Sequence, residues 1–177
     1  MKRGLLLTIT EPPAAMDEEF NAWYDTEHLA ERLAIPGFRS ARRWVAEAAP
    51  GEGRYLATYE LDSLAVLSSP AYLARFEGAT PWTRRCLGKA VVFRRWACEQ
   101  GDPGDADPHP AAQALLVIAS DRPLEAPASP AALQVRRFTA SSGAPRHLLL
   151  AELARAGEPA PAVPGAGLLR VYRAYAA

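Results

Sequence analysis

The stretch from Phe20 to Phe38, FNAWYDTEHLAERLAIPGF, gathers the side chains of this chain that could exchange protons with a bound molecule. At about 100° per residue, a helix over it puts Phe20, Trp23, Ala30 and Leu33 on an apolar side. Glu27 and Glu31 fall close to Phe20 in direction, and Tyr24 and His28 sit on the same flank. Carboxylates, a phenol and an imidazole therefore border the core. Such a set is either the solvated edge of an ordinary helix or a polar group aimed into a pocket, as in an active or ligand-binding site.

The flanking elements decide how that helix is held. A short apolar run, Gly4 to Thr10, reads as a buried strand, and Glu11-Pro12-Pro13 carries the chain off it. Asp17 is the expected N-cap, with Glu18 and Glu19 as an acidic first turn. Ile35-Pro36-Gly37 ends the helix, because the residue before a proline is biased away from helical dihedrals. The period then changes to two. Phe38–Val45 is a strand with Arg42 and Trp44 on one side and Arg43 on the other. After a Pro50–Gly53 turn, Arg54–Leu61 is a second, with Tyr55, Ala57, Tyr59 and Leu61 sharing a face. Asp62-Ser63 is read as capping a short helical piece. Ser69-Pro70 and Thr80-Pro81 each open a helix with a capping hydroxyl, proline at the first helical position, and Gly78 or Gly88 beyond the end. A strand over Ala90–Trp96 closes the unit. The order is βαββαβ, the ferredoxin-like arrangement.

Residues 100–112, rich in glycine and proline, read as a linker between a complete unit at 1–99 and an abbreviated copy at 113–177. Ala114–Ala119 matches the opening strand, and Val135–Ala140 matches Ala41–Ala46. Gly143–Leu148 with Glu152-Leu153 matches Gly51–Leu56 with Glu60-Leu61, and Leu169–Tyr175 matches the closing strand. The stretches 121–132 and 155–167 are short and proline-rich, so the copy is a helix-poor ββββ unit. A four-stranded sheet with helices on one face leaves its other face apolar. The expected fold is therefore α+β: two ferredoxin-like repeats whose sheets pack face to face, a dimeric α/β-barrel made within one chain.

Composition bounds the rest. With 177 residues and 49% hydrophobic content, the chain can bury a core without staples. A formal net charge of zero favours neither nucleic acid nor an anionic membrane. The start of the chain lacks the build of a signal peptide, and no segment has the length and apolarity of a membrane span. Cys86 and Cys98 suggest neither a disulfide framework nor a zinc site, which points to a reduced, cytoplasmic protein.

The pattern Phe20-x-x-Trp23-Tyr24-x-x-x-His28, followed by Ile35-Pro36-Gly37-Phe38 entering a strand, resembles the dimeric α/β-barrel superfamily, and within it the EthD-type domains. Ala30 stands where that family commonly has a proline. The resemblance implies a small pocket between the first sheet and its helices, with His28 at the helix's inner edge. It implies proton transfer by a neutral imidazole near its ordinary pKa, with Glu27 or Asp25 orienting it. Tyr24, Tyr55 or Tyr59 would donate to a developing enolate oxygen, and Arg43 or Arg32 would hold an anionic substrate group. Trp23, Trp44 and Trp82 would wall the cavity against water.

Other chemistries have thinner support. One histidine without a second or a carboxylate triad is a poor metal set, so no metal is expected. There is no Gly-rich phosphate loop and no serine-nucleophile constellation, and no cofactor is expected. His109 and His147 are left out of any site. The reading is a cofactor-independent lyase, cyclase or isomerase acting on a small apolar or aromatic substrate. Its alternatives are a cofactor-free monooxygenase of an activated phenol and a non-catalytic binding protein. A small molecule is the expected partner, and the fused pair would stand as a monomer or form a homodimer.

Overall fold

In the computed structural model, which describes residues 2–125, 127, 129, 131–157 and 162–176, eight antiparallel strands close into one barrel. They are β1 (Gly4–Glu11), β2 (Phe38–Val45), β3 (Tyr55–Leu61), β4 (Val92–Asp102), β5 (Ala114–Ser120), β6 (Ala132–Ser142), β7 (His147–Leu153) and β8 (Leu168–Ala174). Around the barrel the order is β1-β3-β2-β8-β5-β7-β6-β4. The first four strands thus form the run β4-β1-β3-β2, and the last four form β8-β5-β7-β6. Two seams join the runs. One is short, pairing Trp44 with Ala174 and Val45 with Arg173; the other runs from Ala97↔Ser142 to Asp102↔Arg137. The expected α+β class holds, but the sheets are joined edge to edge rather than merely stacked, so neither run keeps a bare edge strand.

The strand period of two sorts the side chains into three cores. Leu5, Leu7, Ile9, Trp44, Trp96, Leu115, Val117, Phe138, Leu150 and Tyr172 fill the barrel. Leu6, Tyr55, Ala57, Tyr59 and Leu61 point outward from the first run and meet Phe20, Trp23, Tyr24 and Tyr72 from the helices. Leu116, Ile118, Leu149 and Ala151 point outward from the second run and are covered by loop residues, Leu124, Val163 and Ala166 among them. No helix lies over that second face among the described residues. Residues 126, 128, 130 and 158–161, within the stretches read as helix-free, lie outside the described residues. None of the described helices is long and apolar enough to cross a membrane.

Four short α-helices cover the first run: α1 (Asp17–Trp23), α2 (Leu29–Leu33), α3 (Pro70–Glu77) and α4 (Pro81–Lys89). Ser69 and Thr80 cap α3 and α4 as expected, each side chain accepting the backbone N–H three residues on, with proline in the first turn. Gly78 follows α3, whereas α4 runs past Gly88 to Lys89. Two other caps differ from expectation. Met16 occupies the N-cap of α1 without a side-chain bond. Asp17 is the helix's first residue, and its carboxylate accepts the Tyr55 hydroxyl at 2.8 Å. Ser63 likewise makes no capping bond to the 3-10 turn Leu64–Ser68. β4 continues to Asp102, into the stretch read as linker, because β6 supplies a pairing partner there.

One end of the barrel is plugged by charge. Arg136 is 2% exposed and reaches Glu60 of β3 through both terminal nitrogens at 2.9 Å. Its Nε donates to Glu152 of β7 at 2.9 Å. The connection after β4 lies across this end, where the His109 N–H donates to Glu152 at 2.6 Å and the Asp107 carbonyl accepts from Gln134. The echo of Arg42-Arg43 in Arg136-Arg137 thus has an architectural use, since Arg136 ties the two runs of strands together from within. Burial pushes the Glu60 carboxyl above the usual carboxylate range, and Arg136 opposes that rise.

Candidate functional site

Between the outer face of the first run and the four helices lies a cavity of about 860 Å³, within the range of small-molecule sites. Leu6 and Thr8 of β1, Tyr59 of β3, and Phe93 and Arg95 of β4 form its sheet side. Tyr24, His28 and Arg32 come from the first helical segment. Tyr72, Leu73 and Phe76 come from α3, and Thr83, Arg84 and Leu87 from α4.

The first helical segment is not one regular helix. Between α1 and α2, residues Tyr24–His28 form a π-turn, in which the Leu29 N–H bonds to the Tyr24 carbonyl, five residues back. Such turns are rare and often mark functional sites. Four aromatic residues of this segment and its turn are buried, namely Phe20, Trp23, Tyr24 and His28. The His28 ring lies 4.3 Å from that of Trp23, 4.9 Å from Tyr24 and 6.4 Å from Tyr59, centre to centre.

Burial, then the nearby positive charges of Arg32 and Arg43, press the His28 pKa from 6.5 down to about 3. The expected imidazole near its ordinary pKa is therefore replaced by one held firmly neutral. Its Nδ1 is buried with no hydrogen-bond partner. The hydroxyl of Tyr59 donates to that of Tyr24 at 3.1 Å. Burial, and then the neighbouring Tyr24, raise the Tyr59 phenol well above its ordinary value. One O–H is used between the two rings, which leaves the Tyr24 O–H to donate elsewhere.

Four of the residues singled out from sequence therefore meet in the cavity wall: Tyr24, His28, Arg32 and Tyr59. The others stand behind, beside or away from it. Trp23 packs under the imidazole and donates Nε1 to Thr83 at 3.0 Å. Glu27 faces α4 instead of His28, accepting from Thr80 at 2.6 Å, Thr83 at 3.1 Å and Trp23 at 3.2 Å. It clamps α1 to α4. Asp25, the other expected orienting acid, is paired with Arg43 at 2.5 Å. Arg43 is buried beside the cavity, its guanidinium 3.9 Å from the centre of the Tyr175 ring and 4.5 Å from that of Tyr24. It also bonds Asn21. Tyr55 donates to Asp17 and accepts from Asn21. Trp82 packs at the edge of the helix-side core, and its Nε1 is buried without a partner. Trp44, expected in the cavity wall, is inside the barrel and donates to Thr58 at 3.1 Å.

Sequence reasoning passed over most of the wall: Leu6, Thr8, Tyr72, Phe93, Arg84 and Arg95. Only the outward register of β1 and β4 gives a signal for them, since Leu6, Thr8, Phe93 and Arg95 alternate with inward residues under the helices. Among the described residues no three His, Cys, Asp or Glu side chains cluster as a metal-binding set. Both cysteines are free and buried, and burial pushes Cys86 up to about 11 and Cys98 up to about 12, which makes poor nucleophiles of them. No family model and no curated protein matches this chain, so the likeness to EthD-type domains rests on the helix and Pro-Gly turn that carry it.

Proposed function

We propose that this chain is an EthD-like pair of ferredoxin-like repeats fused into one dimeric α/β-barrel, with its working pocket in the first copy. In that pocket it catalyses cofactor-independent proton transfer on a small organic molecule, as a lyase, cyclase or isomerase. The repeat is supported by strand order. Counting each run from its own first strand, β4-β1-β3-β2 and β8-β5-β7-β6 are the same 4-1-3-2 sequence. The catalytic reading is carried by one observation: a neutral, unpartnered imidazole forms part of a cavity wall beside a linked pair of phenols.

In this reading the substrate's acidic C–H faces His28 and its carbonyl oxygen faces Tyr24. Proton transfer to the imidazole creates an imidazolium beside an enolate, and the new pair compensates the charge that an empty, buried site resists. The Tyr24 O–H stabilises the enolate oxygen as charge develops, with Tyr59 polarising it from behind. The protonated imidazole then returns its proton at another atom, or to a leaving hydroxyl.

The test is to recover the small molecules that the purified chain retains from a cell extract and to follow them by mass spectrometry in deuterated water. Turnover should give an isomer that carries solvent deuterium at its reprotonated carbon, or a dehydrated product lighter by the mass of water. His28→Gln should keep binding while turnover falls by about 10²–10⁴-fold, and Tyr24→Phe should lower turnover without unfolding the chain. Unchanged turnover in His28→Gln would overturn the role of the imidazole. A product with an added oxygen atom, or retention without any turnover, would replace the proposal by the oxygenase or the binding-protein reading.

A further inference from the structure

We infer that the cavity takes an organic carboxylate with an apolar, ring-sized body, its anionic group received by Arg32 and Arg95 and its body lying against Leu73, Phe76 and Phe93. This deepens the reading above and rests on its pocket. The first argument is charge. The chain is neutral as a whole, yet the cavity is lined by three arginines, Arg32, Arg84 and Arg95, against one carboxylate, Glu77.

The second argument is pairing. Several arginines elsewhere on this chain are paired with acids: Arg39 with Asp62 and Asp107, Arg43 with Asp25, Arg54 with Asp17, Arg75 with Glu31, and Arg170 with Glu52. Among the described residues the cavity arginines have no acid at ion-pair distance. Arg84 donates to the Ala79 carbonyl at 2.5 Å, and Arg95 donates to the Tyr72 hydroxyl at 3.4 Å. Arg32 lies over the Tyr72 ring at 5.6 Å, with its Nη1 buried and unpartnered. Tyr72 thus holds Arg32 at its ring face and Arg95 at its hydroxyl, so both guanidinium groups belong to one wall. The Thr8 hydroxyl and His28 Nδ1, on residues of the same lining, are also buried without partners. Unmet polar groups in one place are costly unless a ligand satisfies them, and a planar carboxylate suits the guanidinium donors among them best.

The third argument is the mouth. Leu73 is 45% exposed, Phe76 69% and Phe93 50%. Large apolar side chains grouped at a cavity's rim mark a surface that a ligand covers. A lone anion would leave them wet, and a purely apolar ligand would leave the guanidinium groups unmet.

The probe pair is 2-naphthoate and its neutral isostere 2-naphthamide, titrated into the full chain by calorimetry at low and at moderate salt. The carboxylate should bind at least about tenfold more tightly, and added salt should narrow the gap. Arg32→Gln should remove most of the preference, and Arg95→Gln part of it, with thermal unfolding unchanged in both. Arg75→Gln, outside the cavity and already paired with Glu31, should leave it intact. Equal affinity for the two probes, a preference that survives in the Arg32→Gln/Arg95→Gln double variant, or no binding of either probe would overturn the inference. Equal affinities would leave the His28 chemistry standing. Unchanged turnover in His28→Gln would sink that chemistry and leave the preference for a carboxylate.

Discussion

Acid should weaken this fold through one imidazole. His28 stays neutral in the folded chain because burial, and behind it Arg32 and Arg43, lower its pKa from 6.5 to about 3. Unfolded, the same ring takes up a proton as the pH drops below 6.5. The unfolded state then binds more protons than the folded one, so stability falls as pH falls across the window from 6.5 to about 3. Each pH unit inside that window costs about 1.4 kcal/mol. Going from pH 7.5 to pH 5 should therefore remove about 2 kcal/mol through this residue, and about 4 kcal/mol should be gone by pH 3. The groups packed against the ring are Trp23, Tyr24 and Tyr59, and the nearest charges are Arg32 and Arg43. Indole, phenol and guanidinium groups do not ordinarily change charge between pH 5 and pH 7.5. Carboxylates elsewhere do titrate, so the measurement is a difference. Urea unfolding of the wild type and of His28→Gln at both pH values should show the variant losing about 2 kcal/mol less on acidification. Equal losses, or a folded-state imidazole resonance that titrates near 6.5, would refute the reasoning.

Two further outcomes follow from the packing. Arg136→Met should cost about 3–5 kcal/mol in denaturant unfolding, because it strands Glu60 and Glu152 inside the barrel. The triple replacement Glu60→Leu, Arg136→Met and Glu152→Leu should recover most of that loss. Thr80→Val should cost about 1–2 kcal/mol, more than Ser69→Ala, since both hydroxyls cap a helix and donate, but Thr80 donates to the Glu27 carboxylate and Ser69 only to the Val66 carbonyl; comparing thermal midpoints of the two variants checks it.

Much of the strand layout was legible because it is written in local signals. Phe38–Val45 alternates, Gly51 and Gly53 flank a turn, and Ser69-Pro70 and Thr80-Pro81 carry both a capping hydroxyl and a preset dihedral. What stayed hidden is decided by partners far away in the chain. Gln100-Gly101-Asp102 is poor in strand formers and joins β4 only because β6 pairs with it. Arg136 reads as one more surface arginine until Glu60, 76 residues away, and Glu152 close around it. The cavity wall was missed for the same reason. Tyr72, Arg84 and Arg95 each look like ordinary solvated or core residues on their own elements, and only the packing of α3, α4 and β4 makes them neighbours.

The π-turn explains why Glu27 and His28 face other directions than the sequence suggested. In an uninterrupted α-helix the residue seven places after Phe20 shares its direction, and that residue is Glu27. The bond from the Leu29 N–H to the Tyr24 carbonyl takes one extra residue into the turn, so the eighth residue, His28, occupies the inward place. Glu27 is carried to the flank, where Thr80, Thr83 and Trp23 satisfy it. The exchange matters for charge as much as for geometry. A carboxylate in the inward place would answer Arg32 from within the protein, and the cavity would have less positive charge to offer. With an imidazole there instead, held neutral by burial and by the arginines themselves, the positive wall stays open. In the proposed reading, the same local distortion that puts an imidazole in the wall therefore leaves the guanidinium groups beside it for a ligand.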